Sequence, residues 1–187
     1  LMDDVLWLNN LVDRITSDPP DDHPLLAEDP LLTVTEPFAF WAIETSDRVD
    51  GLFEHPAIVR ASDISPYGLR KVRILNGAHT ALVLKAMPLG FTTVREAVED
   101  PEILNWLTDL LHDEIIPTID DRVTDAEMFA AECLDRFRNP YLVHMLSSIA
   151  WEQDTKIMLR LVPTYKEYIF KLGKSPRILR DLLKDYV

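Results

Sequence analysis

Beyond Tyr67 the sequence is punctuated as a run of short capped helices, and that punctuation fixes what the chain can fold into. Residues 68–87 place Val72, Leu75, Leu82, Val83 and Ala86 at helical spacing, and Pro88 with Gly90 closes the run. Thr93-Val-Arg-Glu96 has the spacing of a capping box, and Asp100-Pro101 sets a cap before a first-turn proline. The helix that follows puts Leu104, Leu107, Leu111 and Ile115 on one side and stops at Pro117. Thr124-Asp-Ala-Glu127 is a second capping box, opening a helix to about Phe137. Pro140 starts a helix to about Trp151, and another ends near Pro163. Residues 164–172 form the next, closed by Gly173, and Ser175-Pro176 restarts a last one. The expected fold class is mainly α: a multi-helical domain over residues 66–187 with about seven helices.

Residues 1–65 read differently. Pro19, Pro20, Pro24 and Pro30 stand among acids as a loop. Leu31 to Ile43 is rich in β-formers and is interrupted at Pro37, and Ala57 to Ala61 is a further short strand. Asp63-Ile-Ser-Pro66 turns the chain into the helices. So few strands make no stable sheet alone, and the segment reads as the end of something larger.

Charge and glycine content exclude several function classes. The net charge is −13, with 19 basic residues against 32 acidic ones, which argues against a nucleic-acid partner. No apolar run is long enough to span a membrane, and the acidic start lacks the features of a signal peptide. The single cysteine, Cys133, reads as a core residue and points to a reducing, cytoplasmic setting. The 5 glycines make no phosphate-cradling loop, and there is no recognisable metal site. If the chain serves a nucleotide enzyme, the nucleotide fold lies outside it.

One stretch carries chemistry. Lys71-Val-Arg-Ile-Leu-Asn-Gly-Ala-His79 sets Lys71, Asn76 and His79 at i, i+5 and i+8. At about 100° per residue, Asn76 and His79 lie roughly 140° and 80° around the helix from Lys71, so all three can lean into one pocket. A lysine, an amide and an imidazole are the parts needed to move a proton on and off a carbinol oxygen. A lysine works this way near neutrality when burial and nearby cations favour its neutral form, and Arg70 and Arg73 flank the position. The alternative is a non-catalytic helical interaction module. In that case the three side chains face three different surroundings and an apolar patch faces a partner.

Lys71 to Thr80 resembles the K-x-x-x-x-N-x-x-H motif of the long-chain polyol dehydrogenases, a family that includes mannitol dehydrogenase, fructuronate reductase and tagaturonate reductase. Asn9-Asn-Leu-Val-Asp-Arg-Ile15 is similar to the family's N-S-M-V-D-R-I segment. Glu36-Pro-Phe with Trp41-Ala-Ile-Glu44 is similar to its E-P-F…W-V-I-E strand, and Arg136-Phe-Arg-Asn-Pro140 to its R-F-x-N-P. The resemblance covers about residues 5–165. It implies a helical domain of the 6-phosphogluconate-dehydrogenase C-terminal type at 66–187, with residues 1–65 the tail of a Rossmann domain that lies upstream. It implies NAD or NADP as cofactor, no metal, and a small sugar acid or polyol as substrate. Lys71 becomes the acid/base, Asn76 and His79 donors to the substrate oxygen, and Asn9 a second amide there, with Asn10 its neighbour in register. Arg136, Lys156 and Arg70 become cations facing the substrate, and Asp13 with Arg14 an ion pair at a strand end. Gly68 and Thr45 depart from mannitol dehydrogenase proper, while Gly77–Thr80 and Thr93–Pro101 read closer to the tagaturonate reductase branch.

Overall fold

A computed structural model describes residues 5–48, 51 and 54–187, and the acidic start at residues 1–4 lies outside them. Among the described residues, five strands precede residue 65: β1 (Asn10–Asp13), β2 (Thr16–Ser17), β3 (Val34–Thr35), β4 (Phe40–Glu44) and β5 (Ile58–Ala61). β4 is central in a three-stranded sheet, antiparallel to β1 and parallel to β5, while β2 and β3 form a separate ladder. Pro37 falls between β3 and β4, where its missing N–H breaks no ladder.

The helical body begins with α1 (Ser65–Arg70), which runs straight into a wide turn at Lys71–Asn76 and on into α2 (Gly77–Ala86). α3 (Val94–Glu99) and α4 (Pro101–Asp109) follow, then a second wide turn at Leu110–Ile115. α5 (Ala126–Phe137), α6 (Leu146–Ile149), α7 (Gln153–Arg160), α8 (Val162–Leu172) and α9 (Arg177–Leu182) complete the order. Both wide turns are π-helical, a geometry in which backbone bonds reach from i to i+5.

Caps fix several of the boundaries. Thr93 accepts from the Glu96 amide while the Glu96 carboxylate accepts from the Thr93 amide, the expected capping box. Asp100 accepts from the amides of Glu102 and Ile103 at 2.9 and 3.0 Å. Gly173 ends α8 at φ 66°, a left-handed conformation that glycine adopts without strain. Glu114, buried on the second wide turn, accepts from the amides of Ile178 and Leu179 and so caps α9 from a distant element.

Two expected helix starts are corrected. The box at Thr124 does not form: Asp125 stands at the N-cap, makes no cap bond, and directs its carboxylate to Arg70. Residues 140–145 are not helical. Their backbone pairs instead with the start of α3, where Val94 donates to the carbonyl of His144 and Leu146 donates to that of Thr92. That pairing holds residues 143–145 extended beside α2 and leaves only a short α6.

α2 is the central helix. Eight of its ten residues are buried, packed among Leu107, Leu110, Leu111, Ile115, Ile157 and Leu161. Its two buried polar residues are His79 and Thr80. A polar side chain inside such a helix needs a partner or a cavity.

Candidate active site

Two arginines join the small sheet to the helices. Arg70 pairs with Asp125 and lies 5.1 Å from the Phe40 and Tyr67 ring centres and 4.5 Å from that of Phe129. Arg136, on α5, donates to both carboxylate oxygens of Asp13 at 3.0 and 3.1 Å and to both of Glu36 at 2.7 and 3.0 Å. Burial alone would lower the Arg136 pKa, but the bonds to Asp13 and Glu36 outweigh it and hold the guanidinium above its ordinary value. Both are held as structural clamps, and neither is among the residues lining the cleft between the arm at residues 13–21 and the helices, although both were expected beside a substrate. The expected Asp13–Arg14 pair is also corrected. Neighbours on a strand point to opposite faces, so Asp13 turns inward to Arg136 while Arg14 donates to the Glu36 carbonyl at 2.9 and 3.1 Å.

Between the arm at residues 13–21 and the helices lies a cleft of about 1000 Å³. Lys71, Asn76 and His79 all line it, together with Lys156, Arg160, His144 and Ser148. The wide turn at Lys71–Asn76 makes this convergence tighter than an α-helix would. An i→i+5 turn holds more than four residues, so five steps carry the chain little beyond one revolution. Lys71 and Asn76 therefore sit closer to one face than α-helical spacing implies.

Lys71 is half-buried and its Nζ donates to the Val12 carbonyl at the end of β1. An ammonium has three donors, so two remain for the cleft. The Asn76 amide has no hydrogen-bond partner among the described residues. His79 packs against Phe137 at 4.3 Å and edge-on to His144 at 4.8 Å, between ring centres. Its Nε2 is buried and unpartnered. The flanking cations expected beside Lys71 point elsewhere: Arg70 to Asp125, and Arg73 to Thr164 and Glu167.

Asn9 is not brought to the cleft. Its backbone and side-chain N–H groups both donate to Glu44, each at 2.8 Å, and so hold that carboxyl below its ordinary range. Asn10 accepts from the Trp41 indole instead. Lys156 lines the cleft and donates to the Ile149 carbonyl at 2.7 Å. Sequence reasoning missed Arg160 and His144. Arg160 follows Lys156 by four residues on a helix, a signal that was readable, whereas the place of His144 depends on the backbone pairing with α3. Among the described residues there is no group of three metal-ligating side chains, and no helix is long and apolar enough to cross a membrane. Cys133 is buried, which pushes its thiol pKa up and leaves it inert.

His79 is neutral in the folded protein. Burial first, then the fields of His144, Arg136, Arg160 and Lys156, hold it well below its ordinary 6.5. On unfolding it regains that value, so below it the unfolded chain takes up a proton that the folded chain refuses. The resulting stability is fully present above about pH 6.5 and is lost as pH falls toward the depressed folded value. His79→Gln should therefore shrink the difference in urea stability between about pH 8 and about pH 5. An unchanged difference contradicts this account.

Comparison with known proteins places this geometry in a class, the C-terminal domains of polyol dehydrogenases. The fold matches a Pseudomonas fluorescens mannitol 2-dehydrogenase, solved as a ternary complex with NAD and D-mannitol, at TM-score 0.78 and 25% identity, over 94% of this chain and 37% of that one. A D-sorbitol dehydrogenase in substrate-free form shares the fold at TM-score 0.72 and 22% identity, over 98% of this chain and 41% of that one. The chain belongs to the mannitol dehydrogenase C-terminal domain family, which it matches over residues 63–183. It is 40% identical to the altronate oxidoreductase of Bacillus subtilis (strain 168) over 92% of its own length, and 41% identical to that of Cronobacter sakazakii over 91%. It spans 38% and 37% of those two relatives.

Proposed function

We propose that this chain is the catalytic C-terminal part of an NAD-dependent oxidoreductase that interconverts a sugar acid and its keto form. Altronate and tagaturonate are the leading pair, in keeping with the relatives' names. The observation that carries the reading is the convergence of Lys71, Asn76 and His79 on one cleft with donors left unpartnered. The interaction-module alternative calls for three separate surroundings, so this convergence weighs against it. Residues 1–65 are then the tail of a nucleotide-binding domain and 66–187 the catalytic domain, in a cytoplasmic enzyme.

The five glycines make no loop that could cradle a pyrophosphate, so the cofactor is held by a Rossmann domain outside these residues. The buried ring nitrogen of His79 and the free amide of Asn76 fit a substrate oxygen, and NAD, when bound, supplies the hydride acceptor. Lys71, acting as the neutral amine, takes the carbinol proton as the hydride leaves, and the ammonium so formed returns it in the reverse direction. Asn76 and the neutral His79 donate to the oxygen as charge builds on it, aimed in advance and shielded by α2 and Phe137. The Val12 carbonyl keeps Nζ of Lys71 pointed across the cleft.

The test is a panel of sugar acids and polyols offered to the full-length protein with NAD or NADP, read by nicotinamide absorbance. The expected result is turnover of at least one sugar acid, altronate first, and none from the 187 residues alone. Failure of every sugar acid, whether or not a polyol turns over, overturns the reading.

A further inference from the structure

The cleft carries positive charge that the proton chemistry does not use. Among the described residues, Arg70, Arg73, Arg122 and Arg136 each meet a carboxylate. In a chain with 32 acidic residues this is the expected fate of a basic side chain. Lys156 and Arg160, which line the cleft, differ. Lys156 donates to a backbone carbonyl and Arg160 to the Thr80 hydroxyl at 3.1 Å, and neither meets a carboxylate within ion-pair distance among the described residues.

Their placement is specific. They lie four residues apart on α7, hence on one face and one turn apart, where like charges repel. Thr80 follows His79 directly, so the Arg160 guanidinium is anchored next to the position of the proposed reacting oxygen. Gln153 also donates to the Thr80 carbonyl and fixes α7 against α2. Burial holds both cations below their ordinary pKa values, with Arg160 adding to the effect on Lys156 and Glu152 opposing it. The acids lining the cleft do not balance them: Asp13 is held by Arg136, and Asp18 and Asp21 belong to the opposite arm.

We propose that Arg160, with Lys156 one turn before it, forms the subsite for the substrate's carboxylate and selects a sugar acid over the polyol of the same skeleton. The inference rests on the functional reading above and adds what that reading leaves open, the groups that read the acid. A carboxylate between the two cations relieves their repulsion, and a guanidinium offers it paired N–H donors. A hydroxymethyl group there leaves both charges unanswered in a half-buried cleft.

The experiment measures binding, so that it is independent of turnover. Altronate and altritol are titrated calorimetrically into the full-length protein with NADH, which leaves neither ligand a hydride acceptor, as wild type, Arg160→Met, Arg160→Lys and Lys156→Met. Loss of a charge-assisted hydrogen bond predicts that altronate Kd rises about 10- to 100-fold in Arg160→Met while altritol Kd changes by less than about threefold. Arg160→Lys should recover part of the loss. If Arg160→Met does not fold, Lys156→Met, whose contact is one backbone carbonyl, carries the same comparison. Equal losses for acid and polyol, an unchanged altronate Kd, or a wild type that does not prefer altronate overturns the subsite. An inactive protein that still binds altronate through Arg160 overturns the functional reading instead.

Discussion

Replacing Lys71 with alanine should lower kcat of the full-length protein by about 10²- to 10⁴-fold, the usual worth of a positioned acid–base group. The loss should fall on kcat more than on KM, because in the proposed mechanism Lys71 meets the oxygen while Asn76, His79 and Lys156, which line the same cleft, remain to bind the substrate. Folding should be unaffected: Lys71 is half-buried, its one recorded bond goes to the Val12 carbonyl, and alanine is the better helix former. Steady-state kinetics and a thermal melt on the same preparation separate the two effects. A fall in kcat of less than about tenfold, in a protein that melts like wild type, removes Lys71 from the acid–base role.

The second large effect concerns stability. Arg136→Met should destabilise the protein by about 3–5 kcal/mol, because it leaves Asp13 and Glu36 buried together without their common partner. Both carboxylates are almost fully buried, with 3% and 2% of their side-chain surface exposed, so water cannot replace the guanidinium cheaply. The effect should reach the cleft as well. Asp13 adjoins Val12, whose carbonyl holds Lys71, and Glu36 accepts from the Ile15 amide on the cleft's arm. Urea unfolding measures the loss, and a change below about 1 kcal/mol means the clamp is not what joins sheet to helices.

Much of this was legible in the sequence because it was written locally. Thr93 with Glu96, Asp100 with Pro101, and Gly173 each fix a helix end within a few residues. That Lys71, Asn76 and His79 can lean into one pocket was readable from spacing, but the wide turn that tightens their meeting was not. What escaped depends on partners far along the chain. Asp125 reads as part of a capping box until Arg70, 55 residues away, takes its carboxylate. Pro140 reads as a helix start until residues 92–94 pair with the backbone of residues 144–146. Arg136 reads as a cation free for substrate, and only the fold reveals that two carboxylates, 100 and 123 positions upstream, converge on it. Asn9 reads as a cleft amide by its motif, and Glu44 across the sheet holds it elsewhere.

The wide turn at Lys71–Asn76 has a consequence for how such a chain can vary. A helix that carries one residue more per turn at that point has one residue to spare between its lysine and its histidine. Removing one residue would let the segment tighten into ordinary α-helix with little net rotation, since five steps of the wide turn and four of an α-helix both make little more than one revolution, whereas adding one would rotate all of α2 by about 100° relative to Lys71. His79 would leave the cleft, and the buried alanines and leucines of α2 would leave the core with it. Conservative exchanges among Val72, Ile74 and Leu75 cost a modest repacking, whereas an insertion there dismantles cleft and core together. In this stretch the chain can lose a residue more readily than it can gain one.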